Sequence, residues 1–335
     1  MRRSKSEFQL LLLLFVLLLS WWQGTTFTQE IPADGEPIHL YTTATDDLKH
    51  LYLQAFQNAK ESIHIMTFTL TDATVIQTLR EKSEEGVTVT VVCDAKGSPG
   101  LARKLGKKIP LTRTVDNGLM HIKITVIDDT LTLLGSANLT SESLQLHSNL
   151  TLAIPSPSFA TYCKEKSNNL GEETLRTPLP YQPFLIAEQP ASLTFLPDDQ
   201  KGTTRLLKLI NSAEKTLRVA MFTFTRIDFA EALIAAKKRG VDVQICLDQG
   251  NLSGFGNRIV ERFKEANIPL SIYTGPGLLH HKFVWVDGHM LASGSANWTK
   301  AAFKSNADCI LFLEDLTEQQ NRSLKALWKD IYRVE

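Results

Sequence analysis

One pattern of six anchor residues occurs twice in this 335-residue chain, the copies 159 positions apart. The first copy holds His121, Lys123 and Asp128, then Gly135-Ser136-Ala137-Asn138. The second holds His280, Lys282 and Asp287, then Gly294-Ser295-Ala296-Asn297. Side chains two apart on a strand share a face, so each His projects with its Lys. Asp287-Gly288 is a two-residue hairpin signal, and Asp128-Asp129 stands at the matching place. Turns there set His121 opposite Ser136 and His280 opposite Ser295, on shared faces. His121, Lys123, Ser136 and Asn138 then line one face, while Ile122, Ile124, Val126, Leu131 and Leu133 fill the other. The second copy, with Phe283, Val284, Trp285 and Val286, is apolar on both faces, as a central strand is.

The chemistry of these residue types suits a phosphate. Imidazole changes charge near neutrality and can serve as acid, base or nucleophile. Lys123 and Lys282 supply fixed positive charge where a phosphodiester develops negative charge. Asn138 and Asn297 add neutral donors, and Ser136 and Ser295 join the expected phosphate-binding set. Asp128 and Asp287 fall where a strand meets a turn, so a local turn role competes with indirect support of the site.

Both complete copies resemble the phospholipase D superfamily, whose motif is HxKx4D followed by GSxN. The resemblance runs from about Ile38 to Glu335. It implies a two-step phosphodiesterase: one His attacks phosphorus to form a phosphohistidine, and the other protonates the leaving oxygen and then activates water. It also implies that Lys and Asn from both halves hold the phosphate, that no metal or other cofactor takes part, and that the substrate is a phospholipid, a nucleic acid or a related phosphodiester. By resemblance His121 is the nucleophile and His280 the general acid. An acidic residue after GSxN often orients a site His in this family. Asp308, eleven residues after Asn297, takes that place in the second half. With a two-residue gap, Thr151 replaces it in the first half. If Asp308 touches His280, it favours the imidazolium that a general acid needs; orienting His280 as nucleophile is the alternative.

The repeat extends upstream. Ile63–Thr69 matches Leu217–Thr223, each followed by an amphipathic stretch (74–85 and 228–239) that a glycine closes, Gly86 or Gly240. Apolar strands then end at Asp94 and Asp248. The second half holds five extra residues, expected between Gly250 and Gly277. Strand, helix, strand, helix and hairpin make an α/β unit with a mixed sheet. Two such phospholipase D-like repeats, 38–154 and 198–335, are expected to pack about a pseudo-twofold axis, motif hairpins face to face. A Pro-rich linker, 155–197, with a helical piece near 158–170 joins them, and 316–332 reads as a closing helix. Both motifs lie in one chain, so the expected site does not require an oligomer.

Residues 1–26 read as a secretory signal: Arg2, Arg3 and Lys5 precede a Leu-rich run from Phe8 to Leu19. The run is short of the roughly 20 residues a bilayer span needs. With Trp21 and Trp22 as an interfacial belt, an uncleaved anchor is the alternative. Beyond residue 26, 33 basic and 35 acidic residues remain, since Arg2, Arg3, Lys5 and Glu7 precede it. That balance lacks the basic surplus of a dedicated nucleic-acid binder. A phospholipid at a membrane surface is therefore the leading expected substrate. A metal-independent endonuclease and a non-enzymatic scaffold stand behind it, and two intact motifs argue against the scaffold. Asn138 and Asn297 fall in glycosylation sequons that would block the site, which points to a bacterial exported protein. Cys93, Cys163, Cys246 and Cys309 show no zinc spacing. Cys93 and Cys246 read as buried strand residues, and export would permit disulfides. His281 is expected to pack, His64 to be a core or surface residue, and His147 to lie in a loop within reach of the site. Gly254-Phe255-Gly256 is no nucleotide fingerprint, and Arg103–Lys108 reads as a solvated face.

Overall fold

The computed structural model describes residues 29–115, 118–171 and 177–333. The expected signal segment, residues 1–26, lies outside them. From Ile31 onward the chain is a compact unit, and among the described residues no helix is long and apolar enough to cross a membrane. The fold is mixed α/β and is built from two repeated units. The first sheet uses β1 (His39–Thr42), β2 (Ser62–Thr67), β3 (Thr88–Asp94), β4 (Leu111–Thr114), β5 (Lys123–Ile127), β6 (Leu131–Gly135) and β7 (Leu150–Pro155), in the order β1-β7-β6-β5-β2-β3-β4. The second uses β8 (Gln182–Ile186), β9 (Gln189–Leu196), β10 (Thr216–Met221), β11 (Asp242–Asp248), β12 (Leu270–Tyr273), β13 (Lys282–Val286), β14 (Met290–Gly294) and β15 (Asp308–Leu313), in the order β12-β11-β10-β13-β14-β15-β9-β8. In each sheet three strands run parallel and the motif hairpin joins them antiparallel.

Capping signals place the helices. Asp47 accepts from the His50 amide and opens Leu48–Asn58; Asp72 accepts from the Val75 amide and opens Ala73–Glu84. Gly86 and Gly240 take φ of 98° and 95° just past their helices, the left-handed stop that glycine adopts without strain. The five extra residues of the second half fall between β11 and β12. There a 12-residue helix, Gly254–Glu265, replaces the five-residue Leu101–Leu105.

Three apolar layers hold the molecule. One lies between helices and the first sheet, around Leu51, Phe56, Leu79 and Val91. Another covers the second sheet around Phe229, Leu233, Ile245 and Phe263. The third joins residues of both halves, Ile122, Ile124, Cys246, Phe283 and Trp285 among them. It also takes in Phe159 and Cys163 of helix Pro157–Gly171 and Leu324, Leu327 and Trp328 of the closing helix, Glu318–Ile331. Each buried Leu or Phe there contributes about 1.5–3 kcal/mol. The described parts of the segment 155–197 are thus folded into the body. Besides the helix it supplies β9, which pairs with β15 as β1 pairs with β7.

The hairpin register differs by one residue from the sequence expectation. Ile127 pairs with Leu131, and Val286 with Met290, which leaves three residues in each turn. Asp128, Asp129 and Asp287 adopt φ of 48°, 53° and 54°, and the third turn residue, Thr130 or His289, donates back across the turn. A one-residue slip exchanges faces. Leu131 and Leu133 therefore pack with Ile127 under the helices, and Leu134 joins Ile124 between the halves. The first hairpin is buried on both faces, like the second. All four cysteines are free and buried, and burial pushes the Cys246 and Cys309 thiols up to about 12 and about 11.

Candidate active site

The two halves are joined where the motifs begin. The His121 amide donates to the Ala307 carbonyl (2.8 Å), and the His280 amide donates to the Ser148 carbonyl (2.9 Å). Each motif strand thereby enters beside the last strand of the other half. A buried carboxylate clamps each entry from behind: Asp94 Oδ2 accepts from the Met120 amide (3.0 Å), and Asp248 Oδ2 from the Leu279 amide (2.9 Å). The sequence showed these two only as strand ends.

The crossed geometry decides the partners of the histidines. Asp308 reaches His121, not His280: its Oδ1 lies 2.8 Å from His121 Nδ1. The same oxygen accepts from Ser295 Oγ at 2.6 Å. His280 meets Asn149, whose Oδ1 lies 3.0 Å from His280 Nδ1 and accepts from Ser136 Oγ at 2.8 Å. Because Asn149 gives its amide N–H to the Ser143 carbonyl (2.8 Å), its oxygen faces the ring, and His280 donates from Nδ1. Nε2 of each ring is then left for the cleft. Thr151 is not the counterpart of Asp308; Asn149 is. The β6–β7 and β14–β15 ladders carry no gap: the Ser136 amide donates to Leu150 and the Ser295 amide to Cys309. Counting eleven residues from Asn138 without the gap reaches Asn149 directly.

Lys123 Nζ donates to the His121 carbonyl at 2.7 Å, and Lys282 Nζ to the His280 carbonyl at 2.5 Å. Each ammonium also faces an aromatic ring. Lys123 lies 5.7 Å from the Phe68 centroid, and Lys282 lies 4.9 Å from that of Phe222. Phe68 and Phe222 in turn flank the rings of His121 and His280, at 5.6 and 4.9 Å. These walls went unassigned in the sequence, although both sit at one position of the upstream repeat. Asn138 and Asn297 are half-buried, each with a buried Oδ1 that has no partner. His147 comes within 6.2 Å of the His280 ring. His281 is fully buried facing away, with Nε2 2.8 Å from Ser148 Oγ. His64 bonds Thr90 outside the site, and Arg103, Lys104, Lys107 and Lys108 are exposed.

Two sets of expected site residues land elsewhere. The Ser136 and Ser295 hydroxyls are used on Asn149 and Asp308, so they position the histidines' partners and do not face a phosphate. Asp128 and Asp287 lie at the far turn. Asp128 accepts from the amides of Lys60, Glu61 and Ser62, and Asp287 from those of Glu214, Lys215 and Thr216, all at 2.6–2.9 Å. Burial works to raise the Asp287 carboxyl, but these amides hold it below the usual carboxylate range.

The protein's own charges compress the site. Burial, then Lys123, pushes His121 down, and Asp308 opposes that shift. Burial, Lys282, Lys123 and His121 push His280 well below the ordinary imidazole value. Burial lowers Lys123 to about 8 and Lys282 well below the ordinary ammonium value. Burial would raise Asp308, but His121 and Ser295 hold it low, so it stays a carboxylate. The carboxylates of Asp308, Asp94 and Asp248 are used on His121, Met120 and Leu279, which leaves Lys123 and Lys282 as the charged groups to meet a phosphodiester anion. Among the described residues no cluster of His, Cys, Asp and Glu could hold a metal ion.

The chain belongs to the phospholipase D superfamily. The family model described as "Cardiolipin synthase, PLD-like domain" matches residues 52–170 and 206–328, one copy per repeat. Among curated relatives, the mitochondrial cardiolipin hydrolase of Xenopus laevis is 31% identical over 137 residues, which are 40% of this chain and 65% of that protein. A phospholipase D of Rickettsia typhi is 33% identical over 115 residues, 34% of this chain and 56% of that one. The chain thus spans less than two thirds of the curated relatives it matches. Both repeats together resemble the phosphatidylserine synthase of Haemophilus influenzae, with a TM-score of 0.68 and 16% identity over 88% of this chain and 86% of that one, a likeness of fold.

Proposed function

We propose that this protein is a phospholipase D-type phosphodiesterase that hydrolyses a phospholipid phosphodiester. The observation that carries the reading is the unequal pair, Asp308 on His121 and Asn149 on His280, set among Lys123, Lys282, Asn138 and Asn297. A carboxylate behind Nδ1 stabilises positive charge on the ring, so His121 Nε2 is the nucleophile. It attacks phosphorus, the P–N bond forms, and the P–O bond to the leaving alcohol breaks. His280, backed only by a neutral amide, is held neutral in the free protein; a bound phosphodiester anion raises it, so that Nε2 takes up a proton and delivers it to the departing oxygen. Neutral His280 then takes a proton from water, the hydroxide attacks phosphorus, and the P–N bond breaks to release phosphatidate and free His121. Lys123 and Lys282 carry the charge that grows on the phosphoryl oxygens. The names of the cardiolipin hydrolase and phospholipase D relatives support a lipid substrate. The basic, Leu-rich start of the sequence supports export or attachment at a membrane.

The test is turnover of phosphatidylglycerol, cardiolipin and single-stranded DNA by the purified full chain, with acid-labile phosphohistidine mapped after trapping. Lipid cleavage with label on His121 is expected; label on His280, or cleavage of DNA alone, overturns the reading. Lysine and amide nitrogens dominate the phosphate cradle, so activity should also survive EDTA; loss with EDTA and recovery with added metal would count against this mechanism.

A further inference from the structure

Seven large apolar side chains are exposed among the described residues, and six of them lie on segments at the end of the molecule where the histidines open. Val115 directly follows β4, whose Thr114 pairs with Asp94. Leu119 bonds Asn306 two residues before His121. Leu146 precedes His147, the neighbour of the His280 ring. Ile227 begins the helix tied to Trp298, next to Asn297. Leu252 and Phe255 follow Asp248, the clamp on Leu279, and Phe255 is 70% exposed. The seventh, Leu185, pairs with Pro190 beside the Ala187-Glu188 turn, at the end of the second sheet near His289 and away from His280. Single exposed apolar residues are ordinary, but six of seven gathered at one end are not.

Basic side chains accompany these apolar residues. Lys96, Arg258, Lys300 and Lys304 are exposed on the same loops and helix ends, and the Arg258 guanidinium lies 5.2 Å over the Phe255 ring. Against them stand Glu142, Asp228 and Asp330; Asp228 is paired with Arg226, and Asp330 shares the cavity beside Leu146 with Arg333. Aliphatic tips with cationic heads beside them suit a headgroup layer, where apolar groups reach the acyl boundary and cations meet anionic lipid. Leucines contribute little against a polyanion in water, where stacking and charge dominate.

We infer that this rim docks the protein on an anionic lipid bilayer, with Leu119, Leu146, Leu252 and Phe255 entering the headgroup layer so that the histidines meet a phosphodiester still in the membrane. The inference rests on the phosphodiesterase reading above and adds how its substrate is reached. The four native cysteines are buried, so a single introduced thiol can be labelled selectively. In the full chain, an environment-sensitive fluorophore on Phe255→Cys should shift blue and brighten with phosphatidylglycerol vesicles. The same fluorophore on Leu185→Cys should not. Leu252→Ser with Phe255→Ser should lower kcat/KM on vesicles by about tenfold or more and leave a soluble diester, bis(4-nitrophenyl) phosphate, within about twofold. No response at position 255, an equal response at 185, an equal loss on both substrates, or a response to single-stranded DNA in place of vesicles each overturns the docking surface. A response at 255 in a protein that cleaves no lipid would leave the docking surface standing and remove the lipase reading instead.

Discussion

Asp308 and Asn149 are nearly isosteric, and the charge between them sets the division of labour. Asp308→Asn keeps the hydrogen bond in shape but removes the charge that holds His121 ready, so turnover should fall by about a hundredfold or more with KM little changed. Asn149→Asp adds a carboxylate behind His280 and favours its charged form. Exchanging both should move the trapped phosphoryl label from His121 to His280, which peptide mapping reads directly. The pH profile follows from the same charges. Burial, with Lys282, Lys123, His121 and His147 around it, depresses His280 in the free protein, and a bound phosphodiester anion raises it. The basic limb of kcat, which reports the complex, should therefore lie at higher pH than that of kcat/KM, which reports the free enzyme. Coincident limbs would contradict the proposed acid.

At the scale of elements, the motif hairpins do two jobs at opposite ends. One end presents His and Lys; the other is a three-residue turn whose Asp ties down the strand before it. Asp287→Ala removes three amide bonds at a partly exposed turn held at φ 54°. Stability should drop by about 1–3 kcal/mol in denaturant titration, while kcat of the folded protein stays near normal. A collapse of kcat at full stability would put Asp287 back in the chemistry. His281 tests the burial of the second hairpin. Burial, with Lys282, lowers this imidazole from 6.5 to about 3. A base whose pKa is depressed by folding has no effect above its unfolded value; below 6.5 the unfolded chain takes up a proton that the folded one refuses, so stability falls with pH, and the loss grows until about pH 3. His281→Ile, the residue type of Ile122 in the first repeat, should flatten the acid loss of stability through that window. Equal slopes for both proteins would show that His281 does not carry it.

At the scale of the molecule, two repeats share one site because each lends its last strand to the other's motif. The offset of 159 residues, the strand period and the capping residues made the repeats, the fold class and the His-Lys-Asn set legible without coordinates, since all of these are local or periodic properties. The register was not legible. It turned on whether each turn holds two residues or three, and Asp at positive φ with three amides on its carboxylate favours three. The partners of the histidines were not legible either. Asp308 is 28 residues from His280 and 187 from His121 along the chain, yet it bonds the distant one. Sequence by itself determined which groups could do phosphate chemistry and that they come as two sets. Only the tertiary structure decided which set orients which histidine, because that depends on strands crossing between halves, a contact that no local pattern encodes.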